Sequence, residues 1–231
     1  SVLEPYSVAR WLGEAVPLIE REMEAGRPVV IAGGTGLYFT SLLSGISPIP
    51  EIPDEIRSKW RTRQKSDAGG LYEALQKQDP DMADTLNPQD RQRIVRALEV
   101  VEATGISLLE WQRRGNKPLL PAEAKVRKLL LMPERAWLYD RINRRFEQMI
   151  EAGAIDEVKT FIELGVSESA TASKAIGARQ LASHVAGEIG LAEAIELSQT
   201  ASRQYAKRQM TWFRNRMGDW TFASHAPAVL D

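Results

Sequence analysis

The sequence predicts an α/β domain interrupted by an all-helical insertion. Three observations carry this. An amphipathic helix, a short apolar run and a second helix follow one another between Ser7 and Leu43. Ser47 to Pro53 then places three prolines in seven residues, and only helical patterns follow for some seventy residues. A second apolar run, Val126 to Met132, comes almost a hundred residues after the first. Alternation of helical and strand patterns is the grammar of α/β folds, and the long helical stretch between two strands reads as an insert.

Ser7 is a residue type that caps helix N-termini. Val8, Trp11, Leu12, Ala15, Val16, Ile19 and Met23 then recur at helical spacing, and Gly26 ends the run. Arg27-Pro28 leads into Val29-Val30-Ile31-Ala32, which reads as a buried strand. Gly33-Gly34-Thr35-Gly36 follows, and a helix is predicted from Leu37 to Leu43. A strand that breaks into glycines and reopens as a helix aims backbone N–H groups at one point, where the helix N-terminus favours an anion. Without side chains, Gly33, Gly34 and Gly36 let a phosphate approach the backbone, and Thr35 adds a hydroxyl. The alternative is a tight turn that holds no ligand. The stretch matches neither the dinucleotide fingerprint Gly-x-Gly-x-x-Gly nor the Lys-Ser/Thr ending of a P-loop. One parallel strand cannot form a sheet, so partner strands are expected upstream of Ser1.

The proline-rich connector is read as stiff and extended. Helices are predicted over 54–64, 70–78, 80–86 and 88–104, the last with Asn87 as cap and Pro88 at its first position. A short helix ends at Gln112, and Arg113 to Glu123 is a polar loop returning to the sheet. The expected division is therefore 1–47 for the first part of the core, 48–122 for the inserted helical domain and 123–231 for the rest of the core. After the strand at 126–132, a helix starts at Pro133-Glu134 with the stripe Leu138, Ile142, Phe146, Met149 and Ile150, and Gly153 stops it. Further helices are predicted from Ile155 to Leu164, to about Ala186, and from Leu191 to about Met217. Trp220-Thr221-Phe222 is a third strand candidate.

Composition excludes several classes. Apolar residues make up 43 % and charged residues 26 %, as in ordinary globular domains. The absence of cysteine rules out disulfides, thiolate catalysis and cysteine-based zinc sites. No apolar run approaches ~20 residues, so no membrane span is expected. The N-terminus has no secretory pattern, and a cytoplasmic location is expected. His184 and His225 have no flanking ligand pattern, no Ser-His-Asp arrangement is legible, and no metal site is expected within these residues. Asp54, Asp79, Asp81 and Asp84 read as caps and turn residues.

Net charge is only −1, yet the basic residues are segregated. From Leu197 to Gly218 there is no acid, while Arg203, Lys207, Arg208, Arg214 and Arg216 are interleaved with Tyr205, Trp212 and Phe213. Such a segment can neutralise phosphates and stack on unpaired bases, or it can be a solvated face favoured by the helix dipole. Arg57, Lys59, Arg61 and Arg63 form a second basic group, Arg91, Arg93 and Arg96 a third beside Gln92, and Arg141, Arg144 and Arg145 a fourth. Local fields of this kind can bind RNA on a neutral protein.

Five motifs in order carry a resemblance: Gly33-Gly-Thr-Gly-Leu-Tyr38, Asp90 to Val100, Arg141-Ile-Asn-Arg-Arg145 with Met149, Ala175-Ile-Gly177, and Tyr205 to Arg214. Together they resemble the tRNA dimethylallyltransferases, the IPP transferase family, from about Tyr6 to Trp220. The resemblance implies a P-loop NTPase-like α/β core with a parallel sheet, and an inserted helical domain that grips the anticodon stem-loop. It implies transfer of a dimethylallyl group from dimethylallyl diphosphate to N6 of the adenine next to the anticodon, in tRNAs reading codons that start with U. It places Thr35 near the reacting adenine, and Arg145 with Gly33 and Gly34 at the diphosphate. Arg57, the run Gln92, Arg93, Ile94, Val95 and Arg96, and the run Lys174, Ala175, Ile176, Gly177, Ala178 and Arg179 are implied tRNA contacts. So are Lys207, Arg208, Gln209, Met210, Thr211, Trp212, Phe213 and Arg214. The family's P-loop, its catalytic aspartate and the ligands of its Mg2+ have no match in these 231 residues and are expected upstream of Ser1, so the chain as written is expected to be inactive on its own. A monomer is expected. Alternatives are an adenylate isopentenyltransferase acting on free nucleotide, a P-loop small-molecule kinase and a non-catalytic RNA-binding module.

Overall fold

The computed structural model describes residues 2–4, 6–66, 69–115, 118–121, 123–167 and 170–224. Two units emerge from its packing. One comprises Ser1–Phe39 with Ala122–Asp231, the other Thr40–Pro121.

The second unit is built around one helix. Its helices are α3 (Asp54–Ser66), α4 (Gly70–Gln78), α5 (Pro80–Thr85), α6 (Arg91–Thr104) and α7 (Leu108–Arg113). Ile94, Val95, Ala97, Leu98 and Val100 of α6 are buried against Trp60 of α3 and Leu71 and Leu75 of α4. Trp60 is 1 % exposed, and its indole N–H donates to Glu102 Oε2 at 2.8 Å. Burying a polar N–H is tolerable only with such a partner. The helix starts are capped. Asp79 Oδ1 accepts from Met82 N at 3.1 Å, and Ser107 Oγ accepts from Leu109 N at 3.1 Å. The expected cap at Asn87 is corrected. Asn87 Oδ1 accepts from Gln89 N at 2.9 Å, which makes a turn containing Pro88, and α6 starts later with Asp90 accepting from Arg93 N. An Asx turn and an N-cap use the same side-chain oxygen, and here the local turn took it.

In the first unit, Ser7 caps α1 (Val8–Glu24) by accepting from Arg10 N at 3.2 Å. Helix α2 (Gly36–Ser44) begins in this unit and continues into the other. Strands β1 (Leu129–Leu131) and β2 (Thr221–Ala223) pair in parallel, with Leu130 opposite Phe222. Ahead of both strands, Lys128 Nζ donates to Asp219 Oδ2 at 2.7 Å. Helices α8 (Arg135–Glu151), α9 (Ala154–Glu163), α10 (Ala178–Val185) and α11 (Leu191–Arg216) complete the unit. Phe146, Ala154, Val158, Leu181 and Ala194 are its buried apolar cluster.

The sheet is smaller than the sequence predicts. Val29 to Ala32 forms no strand and no other regular element, and Val29, Val30 and Ile31 are 38 %, 89 % and 37 % exposed. An extended segment becomes a strand only where a neighbour takes its N–H and C=O groups, and none of the described residues does so. For the same reason the predicted strand 126–132 contracts to the three residues that face β2.

Candidate active site

The glycine stretch is a turn leading directly into α2, where Tyr38 N donates to the Thr35 carbonyl at 2.9 Å. Trp11, Ile31, Ala32, Gly33, Gly34, Thr35, Tyr38 and Phe39 line a shallow cavity of about 160 Å³. The Trp11 and Tyr38 rings lie 4.9 Å apart, and Phe39 meets Trp220 edge-on at 5.7 Å. The aromatic lining was not anticipated from the sequence. In the sequence Trp11 belongs to the apolar stripe of α1, and only Tyr38 belongs to a motif.

Helix α11 runs against this turn. Gln209 Nε2 donates to the Gly34 carbonyl at 2.5 Å. A Cβ at Gly34 would stand 2.7 Å from that nitrogen, and a Cβ at Gly36 would enter the Trp212 ring, 2.7 Å from Cη2. Gly34 and Gly36 are therefore glycines because α11 approaches there. Gly33 would meet only Phe39, at 3.6 Å, an ordinary contact distance.

Gln204, Lys207, Arg208, Thr211, Trp212 and Asn215 share one face of α11 and line a groove of about 470 Å³. Lys207, Arg208, Thr211 and Arg214 are exposed. The Arg208 guanidinium lies 5.8 Å from the Tyr205 ring centroid, and Trp212 and Phe213 meet edge-on at 6.0 Å. No ion pair joins Lys207, Arg208 or Arg214 to a carboxylate among the described residues. Met210 is buried, so it holds the helix down and does not face a ligand. Arg203 also faces inward. Its guanidinium donates to Asn143 Oδ1 at 2.6 Å and to Thr200 Oγ1 at 2.7 Å.

That contact belongs to a seam between α11 and α8. Gln199 Nε2 donates to the Asn143 carbonyl and to Glu147 Oε1, both at 3.2 Å. The opposite face of α8 carries the arginines. Arg141 stacks 5.4 Å from the Trp137 centroid, Arg144 pairs with Asp140 at 2.5 Å, and Arg145 is exposed. Next to Arg145 in sequence, Phe146 is buried and touches the Lys174–Arg179 segment. Gly177 has φ +97°, and a Cβ there would lie 2.8 Å from Phe146 Cε2. Its N–H donates to Gln180 Oε1 at 3.2 Å. Lys174, Ala175 and Ile176 ahead of α10 and Arg179 in its first turn are exposed, Ala178 is half-buried and Gly177 is buried. The fold thus packs Phe146 of α8 against Gly177 of the 174–179 segment, while the neighbouring Arg145 faces solvent.

In the other unit, Gln92 and Arg93 are exposed and Arg96 is half-buried, while Ile94 and Val95 lie in the core and set the outer face of α6. Arg93 pairs with its cap Asp90 at 3.3 Å, and Arg57 stands 3.9 Å from Asp54.

Among the titratable groups, Tyr6 donates to Glu14 Oε2 at 2.7 Å. That bond, with help from Arg10, holds the Glu14 carboxyl below its ordinary value, and the same bond raises the Tyr6 phenol against the opposing charge of Arg10. The Lys128 ammonium likewise holds Asp219 low. His184 Nδ1 faces the Ile189 carbonyl at 3.2 Å, as a satisfied histidine does, and His225 lies outside the described residues. The cavity lining contains two hydroxyls, those of Thr35 and Tyr38, and no carboxylate, and no group of three histidines or acids among the described residues could hold a metal. Magnesium prefers carboxylate oxygens and phosphates, so the residues present do not by themselves fit an Mg2+ site. No helix among the described residues is long and apolar enough to cross a membrane.

Comparison with known proteins finds relatives over most of the chain. A family model described as IPP transferase matches residues 1–216. A tRNA dimethylallyltransferase of Chelativorans sp. is 48 % identical over 219 residues, covering 94 % of this chain and 75 % of the relative. One of Agrobacterium fabrum is 49 % identical over 218 residues, covering 94 % and 73 %. The solved tRNA isopentenylpyrophosphate transferase of Bacillus halodurans superposes with a TM-score of 0.62 at 33 % identity, over 97 % of this chain and 69 % of that one. A eukaryotic dimethylallyltransferase crystallised acting on tRNA gives a TM-score of 0.78 at 25 % identity, over 99 % and 59 %. The P-loop NTPase-like core with a helical insert is thus the architecture of its relatives, and the chain belongs to the IPP transferase family.

Proposed function

We propose that this chain is the greater part of a tRNA dimethylallyltransferase. It transfers the dimethylallyl group of dimethylallyl diphosphate to N6 of the adenine that follows the anticodon, acting as a monomer on the anticodon stem-loop. One observation carries this most: the basic, aromatic face of α11 is pinned to the glycine turn through Gln209–Gly34 and Trp212–Gly36. A nucleic-acid surface and a mouth suited to a small anion therefore adjoin within one unit.

Thr35 stands at the reacting adenine, and Gly33, Gly34 and Arg145 serve the diphosphate. In the reaction the allylic C–O bond breaks, diphosphate leaves with the electron pair, and the N6–C bond forms. Neutralising the leaving group is the main demand, and arginine forks and backbone N–H groups meet it. The N6 proton passes to a general base, the role the family resemblance gives to an aspartate upstream of Ser1. A base in a stacked loop must swing out to reach such a mouth. The Trp11–Tyr38 and Trp212–Phe213 rings offer surfaces on which it and its neighbours stack. Lys207, Arg208 and Arg214 and the Lys174–Arg179 segment hold phosphates of the RNA, and in the other unit Arg57, Gln92, Arg93 and Arg96 are further RNA contacts. The implied contacts Ile94 and Val95 are withdrawn because they are buried in the core.

The test is transfer of labelled dimethylallyl diphosphate by the protein extended through the segment expected upstream of Ser1. Label in the anticodon loop of unmodified tRNA supports the reading. Label in free adenylate with none in RNA, or tight tRNA binding with no label at all, overturns it.

A further inference from the structure

Glu99 is a buried carboxylate on the unit formed by Thr40–Pro121. Its side chain is 5 % exposed, and each of its oxygens faces a different arginine. Oε1 lies 3.5 Å from Arg61 Nε on α3, and Oε2 lies 3.6 Å from Arg96 Nη1 on α6. A carboxylate taken out of water costs several kcal/mol unless it is paired, so the position is not an indifferent one. The arginines themselves are not buried. Their side chains are 63 % and 42 % exposed.

The engaged atoms matter. Arg61 approaches Glu99 with Nε and Arg96 with Nη1, at ion-pair distances, and both guanidiniums stay solvent-accessible. An arginine has five N–H donors, and the planar fork matches phosphate oxygens two at a time. Two guanidiniums around one carboxylate leave a net single positive charge, held where two helices meet. Elsewhere on this seam, Glu102 accepts from Lys59 Nζ and from Trp60 Nε1, all at 2.8 Å, which fixes α3 against α6. Arg57 lies one turn before Arg61 and Gln92 one turn before Arg96, so the pair sits in the middle of a polar strip on the two helices.

We infer that Arg61 and Arg96 form a binding site for one RNA backbone phosphate, and that Glu99 is its positioning residue. Glu99 does not touch the RNA. It sets the two guanidiniums at a fixed spacing before the phosphate arrives, so that less side-chain freedom is lost on binding. The inference rests on the reading that this chain binds tRNA.

The charge makes a sign test possible. Glu99→Gln adds one positive charge to the surface. If the strip works only through its net field, RNA binding tightens. If Glu99 positions the arginines, binding weakens despite the added charge. Binding of the full chain to an unmodified anticodon-arm hairpin is measured by fluorescence anisotropy from 50 to 300 mM salt. One phosphate contact contributes ~0.7–0.9 to the slope of log K against log salt, which is about four- to sixfold in affinity at roughly 0.15 M. Arg61→Gln is expected to lose that amount while the chain stays folded, since Arg96 still faces Glu99. Glu99→Gln is expected to weaken binding by about as much. Added to Arg61→Gln, it is expected to cost much less than it costs alone. Tighter or unchanged binding by Glu99→Gln, or Arg61→Gln binding as the parent does, overturns the inference. Should Glu99→Gln melt early, Arg61→Gln decides alone. A parent chain that binds no hairpin overturns the underlying RNA reading instead.

Discussion

Gly36→Ala places a methyl carbon inside the Trp212 ring, 2.7 Å from Cη2 and nearer still to two other ring carbons. Two effects oppose. Alanine is favoured over glycine within a helix by up to about 1 kcal/mol, and Gly36 is the first residue of α2, where the gain is smallest. Overpacking costs typically about 1–3 kcal/mol. The obstacle is a fused ring braced edge-on by Phe213 at 6.0 Å, not the free end of a flexible chain. The overlap therefore wins, with a net loss of ~1–2 kcal/mol and a midpoint roughly 2–8 °C lower for a chain of this size. Thermal unfolding followed by far-UV circular dichroism reads the first effect, and anticodon-arm affinity reads the displacement of the Lys207–Arg214 face. Trp212→Ala in the same chain makes room for the methyl, so the double variant should lose at least ~0.5 kcal/mol less than the sum of the singles. A Gly36→Ala protein as stable as its parent, with unchanged RNA affinity, would refute the view that α11 dictates this glycine.

Three more perturbations follow from the geometry. Arg145→Ala removes an exposed guanidinium and leaves the Phe146–Gly177 contact in place, so dimethylallyl diphosphate should bind ~10–100-fold more weakly with anticodon-arm affinity retained; equal loss of both in equilibrium titrations would mark the residue as structural. Trp60→Ala empties a site that is 1 % exposed and orphans Glu102, which should cost about 3–5 kcal/mol in chemical denaturation of the inserted unit; a loss under ~1 kcal/mol would contradict the described core. Asp219 is held below the ordinary 3.8 by Lys128, so its contribution to closing the start of the β1–β2 pair is present above that pH and is lost as pH falls through the lower folded value. Asp219→Asn should remove this acid dependence and speed amide exchange at Thr221, and identical exchange in parent and variant down to acid pH would count against it.

Helical segments were legible where amphipathic period, cap and stop agreed. Val8–Glu24 with Ser7, and Gly70–Gln78, needed nothing but local sequence. The start of α6 was misplaced because Asn87, Pro88 and Asp90 all carry start signals, and only the folded chain chooses among them. Strands were the least legible part. Val29-Val30-Ile31 has the composition of a buried strand, yet its state depends on pairing partners that a local pattern does not contain. For the candidate site, residue types were legible and their reasons were not. The glycines suggested a phosphate cradle, but Gly34 and Gly36 clear space for Gln209 and Trp212, 175 residues away in the case of Gly34 and Gln209. Arg203 looked like one more surface cation in an acid-free run, although it is spent on Asn143 across the helix seam. Charge counting does not distinguish a guanidinium that faces solvent from one that joins two helices.

The central claim is that the glycine turn receives the acceptor base while α11 holds the RNA around it. Photo-crosslinking tests it most directly, using an anticodon arm whose acceptor adenine is replaced by a photoreactive purine, followed by peptide mapping. Adducts within Ile31 to Phe39, lost when Lys207 and Arg208 are neutralised together, are the predicted result. Adducts confined to segments outside both the turn and α11 would contradict it.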